Sequence, residues 1–222
     1  MGRDIAFDTP AGSICAWRAD PVAAPRGAIV VVQEIFGVNA HIRAVADRYA
    51  AEGYVALAPA FFDVIERGVE LGYDAQGVAR GRELVDALGL ERAVAIAGAA
   101  ARLLQGEGFK VGVAGFCWGG TVALLANTRL GLPASSYYGA RNVPFLGEPL
   151  RAPMQFHFGE EDTAIPPQAV AAHREQQPDA EVFTYPGAGH AFNRELDPKA
   201  YEPASARLAH QRTMQLFAQA LS

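Results

Sequence analysis

Six runs of apolar residues, each bounded by turn formers, recur along the chain: AIVVVQE (28–34), YVALAPA (54–60), KVGVAGF (110–116), ASSYYG (134–139), MQFHFG (154–159) and EVFTYP (181–186). They are continuous and not alternating, the pattern of strands covered on both faces, as in parallel sheets. Between them, apolar positions recur at helical spacing over 40–52, about 75–105, 119–128, 167–176 and 203–220. Strands alternating with helices predict an α/β architecture, a mostly parallel central sheet with helices on both faces. The opening stretch IAFDTPAGSICAWRADP alternates and carries a turn signal at Thr9-Pro10-Ala11-Gly12, which predicts an antiparallel hairpin at the sheet edge. No repeat or linker interrupts the pattern, so residues 1–222 read as a single domain. Residues 61–80 have the weakest periodicity and are the candidate lid or excursion over a site.

Composition narrows the functional classes. Half the residues are hydrophobic and 19% are charged, the balance of a soluble globular protein. A net charge of −5 without a basic run argues against nucleic acid as a partner. No apolar stretch reaches the roughly 18 residues of a membrane span, and the start MGRDIAF lacks the apolar core of a signal peptide, so the expected location is cytoplasmic, away from membranes. Cys15 and Cys117 are the two cysteines, too few for a disulfide framework or a zinc site, and a reducing compartment disfavours a bridge between them. The oligomeric state stays open, with a monomer favoured.

Candidate chemistry centres on Gly115-Phe116-Cys117-Trp118-Gly119, between a predicted strand and a predicted helix. The spacing matches the nucleophile elbow, with cysteine in place of serine: the turn forces the central residue into strained backbone, and only small residues two positions away avoid collision. The plain alternative is a glycine-eased turn with Cys117 as a small buried hydrophobe. Elbow enzymes carry the acid and then the histidine later in the chain, and Asp162 in HFGEEDTAIPP and His190 in YPGAGHAFN follow in that order, each just after a predicted strand. Asp162 could instead cap a helix, and His190 could be a solvated loop residue. Glu160 and Glu161 compete for the acid role but sit closer to the strand. His157, inside a strand, reads as a satisfied core residue, and His41, His173 and His210 read as helix surface. Cys15 reads as packing.

QEIFGVNAHIRAVADRYAAEGYVALAP, GFCWGG, YYG, HFGEED and GAGHAFNR, in this order and over nearly the full length, resemble the dienelactone hydrolase family of α/β-hydrolases. The resemblance implies the α/β-hydrolase fold, a catalytic triad of Cys117, Asp162 and His190, and an oxyanion hole made by the backbone N–H groups of Ile35 and Trp118. It also implies that Arg194 binds a substrate carboxylate. The family's other arginine falls in residues 78–82, where Arg80 and Arg82 stand without clear register, and the accompanying tyrosine and tryptophan are not evident. Phe36, Trp118 and Tyr138 are candidate pocket walls or ordinary core.

A free thiol is only a few per cent ionised at neutral pH, so a nucleophilic Cys117 needs the helix N-terminus and His190 to favour its thiolate. Glu34 raises the opposite question, because a carboxylate beside an oxyanion hole repels the tetrahedral anion. It is either a solvated strand-end residue or, as the resemblance implies, a switch that accepts a hydrogen bond from the resting thiol and is displaced by substrate. The expected activity is hydrolysis of a small carboxylate-bearing lactone or ester through an acyl-enzyme, with a small molecule as partner and no metal or organic cofactor. The alternatives are a general carboxylesterase or thioesterase, and a non-catalytic small-molecule binding or thiol redox-sensing protein.

Overall fold

Strand and helix boundaries follow the hydrophobic pattern closely in the computed structural model, which describes residues 2–222. The chain divides into two units, Met1–Gly112 with Leu221–Ser222, and Val113–Ala220.

The first unit opens with the expected hairpin. Strands β1 (Arg3–Thr9) and β2 (Gly12–Ala19) pair antiparallel, with Thr9 opposite Gly12 across the Pro10-Ala11 turn. β2 pairs antiparallel with β4 (Val55–Pro59), which pairs in parallel with β3 (Ala28–Val32), so β1 is the outermost strand of this group. β3 and β4 are wholly buried, as continuous apolar runs require. Helix α1 (Ala40–Ala51) is capped by Asn39, whose side chain accepts the Ile42 N–H. The helical run around 75–105 is two helices, α2 (Ala75–Leu88) and α3 (Leu90–Gly106), because Gly89 at φ 72° and ψ 153° ends one and begins the next.

Two expectations fail in this unit for reasons visible in the spacing. His41 is fully buried: it shares its stripe with Val45 and Tyr49, at i+4 and i+8, and that stripe faces the core. Cys15 is exposed, not packed, because β2 turns Ile14 and Ala16 inward and Cys15 to the other face.

The excursion after β4 is tied down along its length. A short 3₁₀ turn, Phe61–Val64, buries both phenylalanines and Asp63. Asp63 accepts the Cys15 N–H at 2.8 Å through Oδ2 and the Gly68 N–H at 3.0 Å through Oδ1. Further on, Glu70 bridges to Gly37 and takes a bidentate ion pair from Arg43 at 2.7 and 2.8 Å, and Leu71 N–H donates to Phe36 O at 3.0 Å. The segment predicted as a lid is therefore fastened to β2 and to the turn after β3.

The second unit is parallel throughout: β5 (Val111–Phe116) lies beside β6 (Ala134–Tyr137), then β7 (Met154–Gly159), then β8 (Glu181–Tyr185). β5, β6 and β7 are wholly buried. β8 is only half-buried, because it is outermost in the order, and the Arg212 guanidinium covers Phe183 at 4.0 Å. Helix α4 (Trp118–Leu130) is almost wholly buried, while α5 (Pro167–Gln176) and α6 (Pro203–Ala220) match their predicted limits.

On α5, His173 is buried and not on the surface, sharing one stripe with Val170 and Gln177. Its Nδ1–H donates to Ala169 O at 2.7 Å and its Nε2 accepts from Asn142 at 3.2 Å. His157 is the satisfied core residue expected, 2.7 Å from the Tyr185 hydroxyl and 3.1 Å from the Ser135 hydroxyl.

Removing Asp63 leaves two partly buried backbone donors without their charged acceptor, a loss of about 2 kcal/mol. Asp63→Ala should lower the urea midpoint accordingly and speed hydrogen exchange at the Cys15 and Gly68 amides. Unchanged exchange at both would show that the loop is held by other contacts.

Candidate active site

The elbow is built by steric exclusion. β5 ends at Phe116, α4 begins at Trp118, and Cys117 between them sits at φ 55° and ψ −118°. The strand and helix approach so closely that a Cβ on Gly115 would lie 1.8 Å from Gly119 O. A Cβ on Gly120 would lie 2.8 Å from Ser136 Oγ and 2.9 Å from Tyr137 O, so α4 seats against the end of β6 only with glycine there. Cys117 N–H donates to Tyr137 O at 3.0 Å, fixing the turn against the neighbouring strand.

Parallel strands bring the other two residues together. Asp162 follows β7 and His190 follows β8, and main-chain bonds join the loops: Glu160 N–H to Tyr185 O at 3.0 Å and Glu161 N–H to Ala188 O at 2.9 Å. A Cβ on Gly159 would lie 2.3 Å from Ala188 O, so this approach also depends on a glycine. His190 Nδ1 lies 2.7 Å from Asp162 Oδ2, and His190 Nε2 lies 3.2 Å from Cys117 Sγ. The other Asp162 oxygen accepts the Ala164 N–H at 2.8 Å, while the N-cap of α5 is Pro166, so Asp162 is not a helix cap. Glu160 and Glu161 are exposed, whereas the Asp162 side chain is fully buried.

Electrostatics follow from this geometry. Burial alone would lower the His190 pKa, but the hydrogen bonds to Asp162 and Cys117, with the negative charge of both, outweigh it and push it up to about 10. The raised value favours the protonated imidazole, whose Nδ1–H faces the aspartate.

The remaining candidates fall out as follows. Tyr138 is fully buried, its ring 5.2 Å from the His190 ring. Trp118 is buried at the first position of α4. Arg194 is buried too, and its Nη1 lies 3.2 Å from Asp197 Oδ2, so the guanidinium already has a carboxylate partner in its own loop. Glu34, at the end of β3, is fully buried, which removes the solvated reading. Phe36 packs edge-on against Tyr73 at 4.9 Å, and the half-buried Ile35 has its carbonyl against α2, where a Cβ on Gly81 would lie 2.3 Å away. Arg80 is occupied by surface ion pairs with Glu66 and Glu83, and Arg82 is exposed. Among the described residues no cluster of three or more His, Cys, Asp or Glu could hold a metal ion.

Sequence reasoning did not single out Gly120, Gly159 or Asp197. Glycines just inside a helix and at a strand end were the available signal for the first two; for Asp197 there was none beyond its i+3 spacing from Arg194.

The family model described as the dienelactone hydrolase family matches residues 14–221. This chain belongs to the dienelactone hydrolase family. A Synechocystis sp. protein provisionally named a carboxymethylenebutenolidase is 36% identical over 228 residues, covering 92% of this chain and 91% of its own. The carboxymethylenebutenolidase of Pseudomonas putida is 30% identical over 212 residues, covering 89% and 88%. A crystal structure from Klebsiella pneumoniae subsp. pneumoniae, provisionally identified as a dienelactone hydrolase, superposes with a TM-score of 0.85 at 29% identity, with 99% of each chain covered. The fold is accordingly the α/β-hydrolase fold of this family, whose members hydrolyse ester and lactone bonds.

A histidine with a raised folded-state pKa adds stability that is complete below its unfolded value of about 6.5 and is lost as pH rises through about 10. Asp162→Asn removes the nearest anion, so the His190 imidazole should titrate well below the wild-type value by NMR. The fall in stability between neutral pH and pH about 10 should shrink with it. An unshifted His190 titration would rule out Asp162 as the group that holds the proton.

Proposed function

We propose that this dienelactone hydrolase family member is a cysteine-dependent hydrolase of small lactones or esters that carry a carboxylate. The observation that carries the reading is the Sγ–Nε2–Nδ1–Oδ2 chain, 3.2 and 2.7 Å long, at the tip of a strained elbow. The His190 ring beside the sulfur and the N-terminus of α4, which starts at the next residue, are the two features that suit Cys117 to act as a nucleophile.

The thiolate attacks the ester carbonyl and forms a C–S bond, and the carbonyl electrons move onto oxygen. Family resemblance gives the Ile35 and Trp118 amides the part of holding that oxyanion. As the C–O bond breaks, His190 delivers its proton to the leaving oxygen, giving a thioester and, from a lactone, a ring-opened alcohol or enol still attached. Neutral His190, oriented by Asp162, then takes a proton from water, whose oxygen attacks the thioester and expels the thiolate. Glu34 takes the family's part of restraining the resting thiol; its full burial at a strand end supports a specific function over solvation. The two free cysteines accord with a cytoplasmic setting, and no helix among the described residues is long and apolar enough to cross a membrane.

One observation favours a second reading, a general carboxylesterase or thioesterase. The Arg194 guanidinium faces Asp197, so a substrate carboxylate has to compete for it, and an enzyme whose arginine stays with its own aspartate has no use for a charged substrate.

Cys117→Ala should reduce kcat on any ester to below a few per cent of wild type while leaving the thermal unfolding midpoint intact, and substantial residual turnover would remove the nucleophile. Cys117→Ser should also be poor, because the same surroundings do not ionise a hydroxyl. The substrate class is tested by Arg194→Ala on a dienelactone and on a neutral p-nitrophenyl ester. A charge-assisted bidentate contact is worth about 1.5–3 kcal/mol, or roughly 10- to 150-fold in kcat/KM, and competition from Asp197 places the expected loss near the lower end. The neutral ester should lose far less; equal losses on both would favour the general esterase.

A further inference from the structure

Among the described residues, three that are not glycine have positive φ: Cys117 at 55°, Tyr138 at 41° and Ala191 at 64°. One is the elbow residue, one directly follows His190, and Tyr138 directly follows β6. Side chains occupy this region at a cost, and such residues persist where surrounding structure over-determines them, often at functional sites. For a residue as large as tyrosine the cause lies in what its backbone and ring hold. Its N–H donates to His157 O on β7 at 2.8 Å, and the carbonyl one residue earlier accepts the Cys117 N–H at 3.0 Å. Its ring, fully buried, lies 5.2 Å from the His190 ring with the planes at 61°, and 5.4 Å from Phe192 at 75°. A single dipeptide step thus anchors the amide of the elbow cysteine and braces the imidazole beside it.

We propose that Tyr138 is a positioning residue whose ring, locked by strained backbone, keeps the His190 imidazole in line between Asp162 and Cys117. The proposal rests on the cysteine–histidine reading of the site and goes beyond treating Tyr138 as pocket wall. Edge-to-face packing against Tyr138, itself backed by Phe192, limits rotation of the imidazole. That keeps Nδ1 at 2.7 Å from Asp162 Oδ2 and Nε2 at 3.2 Å from Cys117 Sγ, the two contacts that couple the ring to the thiol. Because the contact with His190 is ring against ring, phenylalanine can replace tyrosine in this role and an aliphatic side chain cannot.

The test is an ultraviolet titration of the Cys117 thiolate, with Cys117→Ala as blank, in full-length wild type, Tyr138→Phe, Tyr138→Leu and Tyr138→Met, alongside kcat and KM on one ester. Leu and Met should move the thiolate midpoint up by about half to one pH unit and lower kcat about tenfold, with KM within about twofold. Phe should keep the wild-type midpoint and most of kcat. Methionine, closer to tyrosine in length, keeps the test open if the shorter leucine unfolds the core. A wild-type midpoint in folded Leu and Met variants overturns the proposal, as does a loss confined to KM, which would make Tyr138 a substrate contact. A Phe variant as impaired as Leu also overturns it, by placing the effect in the hydroxyl. If wild type itself shows no Cys117-dependent titration, the cysteine–histidine reading fails first, and that result differs from any outcome specific to Tyr138.

Discussion

The close approach of β5 and α4 at Gly115 and Gly119 is the constraint on which the rest of the site depends. With 1.8 Å between a hypothetical Gly115 Cβ and the Gly119 carbonyl, the connection has room for one residue, and that residue takes φ 55°. An L-residue there costs on the order of 1–3 kcal/mol, which the buried strand and the almost wholly buried helix on either side supply many times over through their packing. The return is geometric. The side chain of Cys117 starts from the N-terminal end of α4, remains half-buried in a well-packed unit, and meets His190 without any loop having to close over it.

The charge arrangement depends on the same packing. A fully buried Asp162 carboxylate is expensive unless its oxygens are satisfied, and here one takes the Ala164 amide and the other the imidazole. The approach of the two loops at Gly159 makes that possible, since any side chain there would collide with Ala188 O. Two glycines at two strand ends therefore set the two hydrogen bonds of the site. Sheet order brings three residues together: β6, β7 and β8 place Tyr138, Asp162 and His190 in adjacent loops.

Much of this was legible before the structure. Continuous apolar runs marked the strands to within two residues, with MQFHFG matching β7 in full, and helices 167–176 and 203–220 matched α5 and α6. The order Cys117, Asp162, His190 was legible because each stands just beyond a strand, where a period change in the pattern makes the loop visible. What was missed shares a physical origin. Residue type alone puts His41 and His173 on the surface, but His41 stands four residues before buried Val45, and His173 three after buried Val170 and four before buried Gln177, so the stripe outweighs the polarity. Gly89 was overlooked because the apolar stripe runs on through α3 and a single glycine carries no periodicity. The role of Asp197 could not be read at all: that Arg194 faces a carboxylate in its own loop is a matter of side-chain direction, which spacing does not encode.

Three histidines of the second unit, His157, His173 and His190, respond differently to burial. His157 sits in mid-strand among a tyrosine and two hydroxyl groups, with Arg212 adding positive potential, and burial drives its pKa down to about 3. His173 pairs with an amide and a backbone carbonyl, and burial again lowers its pKa. Neither has an anion in contact, so desolvation of the charged form dominates and both stay neutral as hydrogen-bond connectors. His190 suffers the same desolvation yet moves the other way, because a carboxylate and a sulfur lie on its two nitrogens. The residue type is the same at all three positions and the burial is comparable in kind. The neighbouring negative charge, placed there by the loop after β7, raises the pKa of one ring, while the other two serve as fixed polar struts.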